Sequence, residues 1–339
     1  MSHGLQARPG AVLAALSCLL ALAFMGGIAA GSYRISPADF LDLVLSALGG
    51  VAHQVPAQAE AVLWQVRLPR VACAALVGGA LAMSGAGMQA VFRNPLAAPD
   101  LLGVSAGAAL GAVAGMYLGW PLAAVQAAAF LGGLAAVALV WLASAWLGAA
   151  DRTLTLILGG VAIGSLLSAG VALLKYLADP YGQLPAMTFW LMGSFAGVGP
   201  SDALVLLATT SAATGLLAVL RWRVDLLLLG DDEARTSGVR PGWLRAAVVV
   251  ACTLAASGAV AVAGVIGWIG LVVPHAARLL VGSAFARLLP ASMLCGAALL
   301  LVVDTIARGV PDAELPPGVL MALVGAPVLF VLLALRADR

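Results

Sequence analysis

Side chains able to carry protons, electron pairs or metal ions are few in this sequence, and they are scattered. His3, His53 and His275 stand alone, and His275 follows Pro274 inside an apolar run, which suits a structural side chain better than a catalytic one. No H-E-x-x-H pair and no cluster of metal-ligand spacing occurs. Cys18, Cys73, Cys252 and Cys295 each sit in an apolar segment without a C-x-x-C partner. They read as small buried hydrophobes rather than ligands or redox groups. Lys175 is the single lysine, and no G-x-x-x-x-G-K-[ST] loop exists, so the chain cannot by itself be a P-loop ATPase. Asp304 is the main carboxylate deep in an apolar segment, and Arg308 lies four residues on, the spacing of a local ion pair. A proton-coupled carrier is expected to hold ionisable groups along its path. With so few of them, the inventory describes a passive conduit that must borrow its energy.

The elements that position these groups are built for lipid. Of the residues, 63% are hydrophobic and 9% charged, with a mean hydropathy of +1.08. Soluble domains carry about 25% charged residues. The net charge of +2 says nothing about nucleic acid, and no basic run suggests such a partner, so none is expected. No polar stretch is long enough to fold alone, so residues 1–339 read as one transmembrane domain.

Charges and prolines divide the chain into about ten spans. Arg8 precedes an apolar run from Ala11 to Ala30, long enough to cross a hydrocarbon core of about 30 Å and longer than the roughly 7–15 residues of a signal-peptide core. It is expected to be a retained first helix. Ala38–Leu48 is a short amphipathic stretch for the membrane surface. Val71–Phe92 is helix two. The uncharged stretch Leu101–Ala150 is divided into helices three and four at Gly119-Trp120-Pro121. Helix five lies between Arg152 and Lys175, and helix six between Asp202 and Arg221. Helices seven and eight occupy Ala246–Pro274, with helix eight running past Arg278. Leu288–Val303 and Pro317–Leu335 are helices nine and ten. With the N-terminus inside, twelve arginines fall on the cytoplasmic side, while Arg34, Arg67, Arg70, Lys175 and Arg308 fall outside. The excess follows the positive-inside rule, and the outside minority requires a reason. Gly78, Gly79, Gly85, Gly87, Gly107, Gly111 and Gly115 recur at helical spacing, a pattern for close helix packing more than for a pore lining.

Several stretches resemble the FecCD/BtuC-like permeases, which serve ABC importers of iron–siderophore complexes, haem and cobalamin. They are Arg67-Leu-Pro-Arg70 with Leu76–Gln89, then Arg93-Asn-Pro-Leu-Ala-Ala-Pro-Asp-Leu-Leu-Gly-Val-Ser105, then Trp190-Leu-Met-Gly193. Leu229–Val239, Gly267–His275 with Arg278, and Glu314–Val319 with Gly325-Ala-Pro327 complete the set. They span nearly the whole chain in the family's order. The resemblance implies an all-α polytopic fold of about ten transmembrane helices, of the type II ABC importer class. It also implies a homodimer or a paired homologous permease, two cytoplasmic ABC ATPases and a periplasmic or lipid-anchored substrate-binding protein. The chain itself would bind no cofactor, ATP and Mg being used by the partner ATPase. The expected place is the bacterial inner membrane, multi-pass, with both termini cytoplasmic.

Three candidate sites follow, each with a plainer alternative. Within the charged segment of about 222–244, Gly230, Asp231, Asp232, Glu233, Ala234, Arg235 and Gly238 read as a short helix. Asp231 is placed to cap it and Gly238 to end it. The residues alone fit a solvated loop; the resemblance makes the segment a coupling helix docked on the ATPase. Asn94 and Leu96 lie in a proline-fixed turn. The resemblance places them, with Thr153 and Leu154, at the cytoplasmic gate, although the surroundings of Thr153 and Leu154 depart from the cobalamin-type pattern. Arg67, Arg70 and Arg308 are arginines that could snorkel to headgroups or, for Arg308, pair with Asp304. The resemblance makes them docking points for carboxylates of the binding protein. The expected cargo is an iron(III)–siderophore, with haem or cobalamin as alternatives. More distant rivals are a secondary carrier, which would need the missing charge network, and a membrane enzyme, which would need convergent catalytic groups.

Overall fold

The computed structural model describes residues 9–31, 33, 36–47, 56–147, 152–310 and 314–337. Helix α1 (Pro9–Ala29) is followed by the short α2 (Pro37–Ala47). A continuous helix, α3, then runs over Ala57–Phe92. Next come α4 (Val104–Tyr117), α5 (Leu122–Leu147), α6 (Arg152–Leu177), α7 (Gln183–Leu191) and α8 (Pro200–Leu229). The chain ends with α9 (Asp231–Thr236), α10 (Pro241–Ala263), α11 (Ile269–Val281), α12 (Phe285–Ala307) and α13 (Pro317–Ala337). Among the described residues, seven helices are long and apolar enough to cross a membrane. The shorter apolar helices Val104–Tyr117, Ile269–Val281 and Pro317–Val331 join them. The all-α, ten-span architecture expected from the sequence is the architecture found.

Helix α3 is the central post. Of its apolar window 83% is buried, against 11% for α6. Helices α8, α10, α11 and α12 pack around α3, while α4 packs on α5 and α6. Glycine makes the crossings close. A methyl group on Gly78 would overlap the Gly296 carbonyl of α12, and one on Gly85 would overlap the Gly270 carbonyl of α11. Without a hydrophobic drive between helices in lipid, such backbone approach is a main source of packing energy. The glycines at helical spacing are packing residues here. Leu154, Leu158, Leu166 and Leu173 on α6 face outward, where only lipid or another protein can cover them.

Several boundaries differ from the sequence reading. The charges at Arg67 and Arg70 set the expected start of helix two at Val71, and Pro69 lacks an N–H and crowds the carbonyl one turn back. Instead a wide π-type turn over Val62–Arg67 absorbs the proline, and the helix continues through it. Arg67 and Arg70 therefore lie within α3. Helix α8 extends past Arg221 to Leu229, α10 begins before Arg245, and α12 begins at Phe285 and passes Pro290. Among the cysteines, Cys73 and Cys252 are buried, but Cys18 is exposed on the outer side of α1.

Candidate functional site

At the C-terminal end of α3 the helix stops in a left-handed residue. Arg93 has φ 48°, and the Asn94 amide closes back on the Gln89 carbonyl at 3.3 Å. Glycine is the usual residue for this cap. An arginine there costs strain and is kept only where its surroundings hold it. The turn is then fixed locally, because the Asn94 side-chain oxygen accepts from the Leu96 N–H at 2.9 Å. Leu96 is 45% exposed and borders a cavity of about 350 Å³ with Pro99, Asp100, Ser105, Trp268 and Leu271. Trp268 holds a positive φ of 71° at the N-cap of α11. Leu154 is exposed on the first turn of α6, and the side chain of Thr153 lies outside the described residues.

The short helix α9 sits beside this turn. Its N-cap is Gly230, with φ 135°, and no side chain caps it. The expectation that Asp231 caps the helix is corrected: the carboxylate turns away to arginines. The Arg245 guanidinium donates to both carboxylate oxygens, with Nη1 at 2.8 Å from Oδ2, and Arg93 Nη2 donates to Oδ1 at 3.1 Å. The Arg245 hydrogen bond, assisted by the nearby Arg93 and Arg235 charges, holds the Asp231 carboxyl below the usual carboxylate range. Gly238, at φ 78°, closes the segment as expected, and the Val239 N–H reaches the Ala234 carbonyl at 2.9 Å. Ala234 is fully buried, while Asp232 and Arg235 are exposed and form a weak pair at 3.5 Å. Glu233 folds back toward Gly230.

Arg67, Arg70 and Arg308 meet beside the N-terminal half of α3. Arg70 and Arg93 are separated by about 35 Å of helix, so the two polar clusters bracket an apolar layer of membrane thickness. Arg67 and Arg70 are only 4% and 8% exposed. Arg67 donates to the carbonyls of Ile28, at 2.8 Å, and Tyr33. Arg308 donates to those of Ala30 and Gly27, both at 3.1 Å. These guanidinium groups satisfy carbonyls left open at the C-terminus of α1 and complement its dipole. Arg70 grips Asp304 in fork geometry, with Nη2 at 2.7 Å and Nε at 3.0 Å from Oδ1, and also pairs with Glu314. Arg308 Nε lies 3.1 Å from the other Asp304 oxygen. Asp304 is fully buried, and Glu314 is 37% exposed along its side chain. Arg67, Arg70 and Arg308, three of the arginines expected outside, thus have a structural reason: they tie α1, α3, α12 and the segment before α13 together.

Sequence reasoning missed Arg93, Arg245, Gln89 and Glu314 as working partners. Gln89 is buried in α3 and accepts from Arg278 Nη2 at 2.9 Å. All but Arg245 lie in the quoted motif stretches, but their partners are far away in sequence, and only the folded arrangement identifies them. Among the described residues, no group of three or more histidine, cysteine or acidic side chains is placed to hold a metal ion.

The model of the FecCD transport family matches residues 19–335. The molybdate import permease MolB of Haemophilus influenzae is 38% identical over 321 residues, covering 95% of this chain and 94% of that protein. A Helicobacter pylori permease assigned to iron chelatin transport is 38% identical over 272 residues, covering 80% and 82%. The vitamin B12 permease BtuC of Salmonella paratyphi A is 38% identical over 338 residues, covering 96% and 95%. A solved inward-facing ABC transporter, assigned to the metal-chelate type, superimposes with a TM-score of 0.86 at 36% identity, covering 96% of this chain and 99% of that one.

Proposed function

The chain belongs to the FecCD transport family, and from that premise we propose that it carries an iron(III)–siderophore complex across a bacterial inner membrane. It is a membrane-spanning permease subunit of an ABC importer, a transport component rather than an enzyme. This excludes the secondary carrier and the membrane enzyme. The observation that carries the chelate reading is the full-length match to the metal-chelate-type transporter, joined by the iron chelatin relative. The cavity beside Leu96 supports it. Its wall is mostly apolar, with Asp100 and Ser105 as polar groups and no arginine or lysine among the described lining residues. Such a wall suits a bulky cargo that hides its metal. Haem and cobalamin share that chemistry. Molybdate is a second reading, favoured by the extent of the MolB match, although the cavity offers a bare oxyanion no cation.

In this proposal two permease subunits, identical or homologous, form one path between outward-facing surfaces such as that of α6. Two cytoplasmic ATPases bind ATP and Mg and dock on Gly230–Gly238, and both termini are cytoplasmic. Asn94 and Leu96, with Thr153 and Leu154, narrow the inner end. A periplasmic or lipid-anchored binding protein docks over Arg67, Arg70 and Arg308. Since these guanidinium groups already hold partners, docking proceeds by exchange, with Glu314 the most accessible partner to displace. ATP binding and hydrolysis shift the population between outward and inward access. The test is uptake into vesicles holding the permease, its ATPase and its binding protein. A ferric siderophore labelled with radioactive iron is compared with haem, cobalamin and molybdate. ATP-dependent uptake of the siderophore supports the reading, and uptake of molybdate alone overturns the choice of cargo.

A further inference from the structure

The short helix and the gate turn share one carboxylate. Asp231 Oδ1 accepts from Arg93 and from Arg245 at once, while Oδ2 is held by Arg245. Arg245 sits on the first turns of α10 and is mostly buried, so it fixes Asp231 relative to that helix. Arg93 is the left-handed residue that ends α3, and it immediately precedes Asn94. From Arg93 the route to the cavity is short and stiff: Asn94 locks the Leu96 N–H, and Leu96 borders the cavity. Otherwise the short helix packs on its flanking helices α8 and α10. On the proposed reading of α9 as the ATPase-docking element and Leu96 as a gate residue, we propose that the Arg93–Asp231 ion pair is the link that carries movement of that helix to the gate turn.

The physical case rests on what movement does to the pair. The Arg93–Asp231 contact is 3.1 Å long. A displacement of α9 by about 1 Å along the contact carries it past hydrogen-bond reach, so the helix must drag Arg93 or release it. A non-glycine residue with positive φ persists only where its neighbours hold it. Released, Arg93 is free to leave the left-handed region, and the turn that aims Leu96 changes with it. The strained cap is thereby a two-position element that both the ATPase and the path can bias. Arg93 is a positioning residue, acting through Asn94 and Leu96 and touching no cargo.

The test uses the permease assembled with its own ATPase in lipid vesicles, carrying Leu96→Cys as a reporter. A water-soluble thiol reagent is applied with and without ATP and vanadate, and the chain lacking the reporter corrects for the native cysteines. The expected result is a several-fold change in Cys labelling with nucleotide in the parent. In Arg93→Gln this change falls to less than twofold, while ATPase co-purification and hydrolysis stay within about twofold. Arg93→Lys, which keeps the charge, restores most of the response. A parent-like response in Arg93→Gln overturns the proposal. So does loss of the ATPase from that variant, which makes the pair a docking contact and not a link. A parent that retains its ATPase but shows no nucleotide response overturns the gate reading and the link with it. A parent that fails to bind an ATPase refutes the importer reading itself.

Discussion

Replacing Asp304 with asparagine removes the negative charge from a buried ionic cluster. Asp304 is fully buried; Arg70 donates to both of its oxygens, and Arg308 pairs with Oδ2. Asparagine keeps the shape but offers one acceptor, and its NH₂ group faces a guanidinium. Breaking a buried ion pair by removing one partner costs about 3–5 kcal/mol, because the remaining charge is left uncompensated. Arg70 keeps Glu314, and Arg308 keeps the Gly27 and Ala30 carbonyls, so the low end, about 3 kcal/mol, is expected. That is roughly a hundredfold in the unfolding constant. The assay is a reversible unfolding titration in mixed micelles, followed by tryptophan fluorescence. Removing Arg308 as well, as Asp304→Asn with Arg308→Met, should recover part of the loss by restoring charge balance. An Asp304→Asn protein within about 1 kcal/mol of the parent refutes the argument that this cluster clamps α1, α3 and α12.

Three further outcomes are expected. Gly85→Ala should cut the yield of folded protein sharply in size-exclusion chromatography, because the methyl group overlaps the Gly270 carbonyl, whereas Gly10→Ala, with open space around it, should behave as the parent. Glu314→Gln should raise affinity for the binding protein several-fold in a surface-binding assay if docking carboxylates compete for Arg70; unchanged or weaker binding refutes the exchange. The folded Asp231 carboxyl sits below its ordinary value of about 3.9, so its contribution is complete above that pH and fades only as pH falls through the lower folded value. Amide-exchange protection of residues 230–239, corrected for intrinsic rates, should therefore be flat from pH 8 to pH 5 and drop in Asp231→Asn.

The spans themselves were legible because uninterrupted apolar runs leave a chain in lipid few alternatives. The short helix α9 was also legible: two glycines bracket an acidic first turn, and the helix forms between them. The role of Asp231 was not, since a carboxylate at a helix start looks like a cap until its arginines are placed around it. Arg67, Arg70 and Arg308 were visible as exceptions to the charge rule and were grouped by the resemblance, but their internal partners were not legible. Arg70 and Asp304 are 234 residues apart, and only the packing of α3 on α12 brings them together. The stretch Ala57–Arg67 was missed as helix because Glu60, Arg67 and Arg70 interrupt the apolar run, and a π-type turn is not written in local composition. The short α7 lies in the uncharged stretch between Asp179 and Asp202, but its nine residues are too few to read as a span.

Transport by the purified chain with and without its ATPase tests the central claim most directly. The permease is reconstituted into vesicles, with its binding protein and ferric siderophore on the outer side, and internal radioactive iron is counted over time. With the ATPase and ATP inside, uptake should proceed; without the ATPase, or with ATP replaced by a non-hydrolysable analogue, it should fall to the leak of empty vesicles. Uptake of comparable rate in the absence of the ATPase, driven by a proton or sodium gradient, would contradict the account.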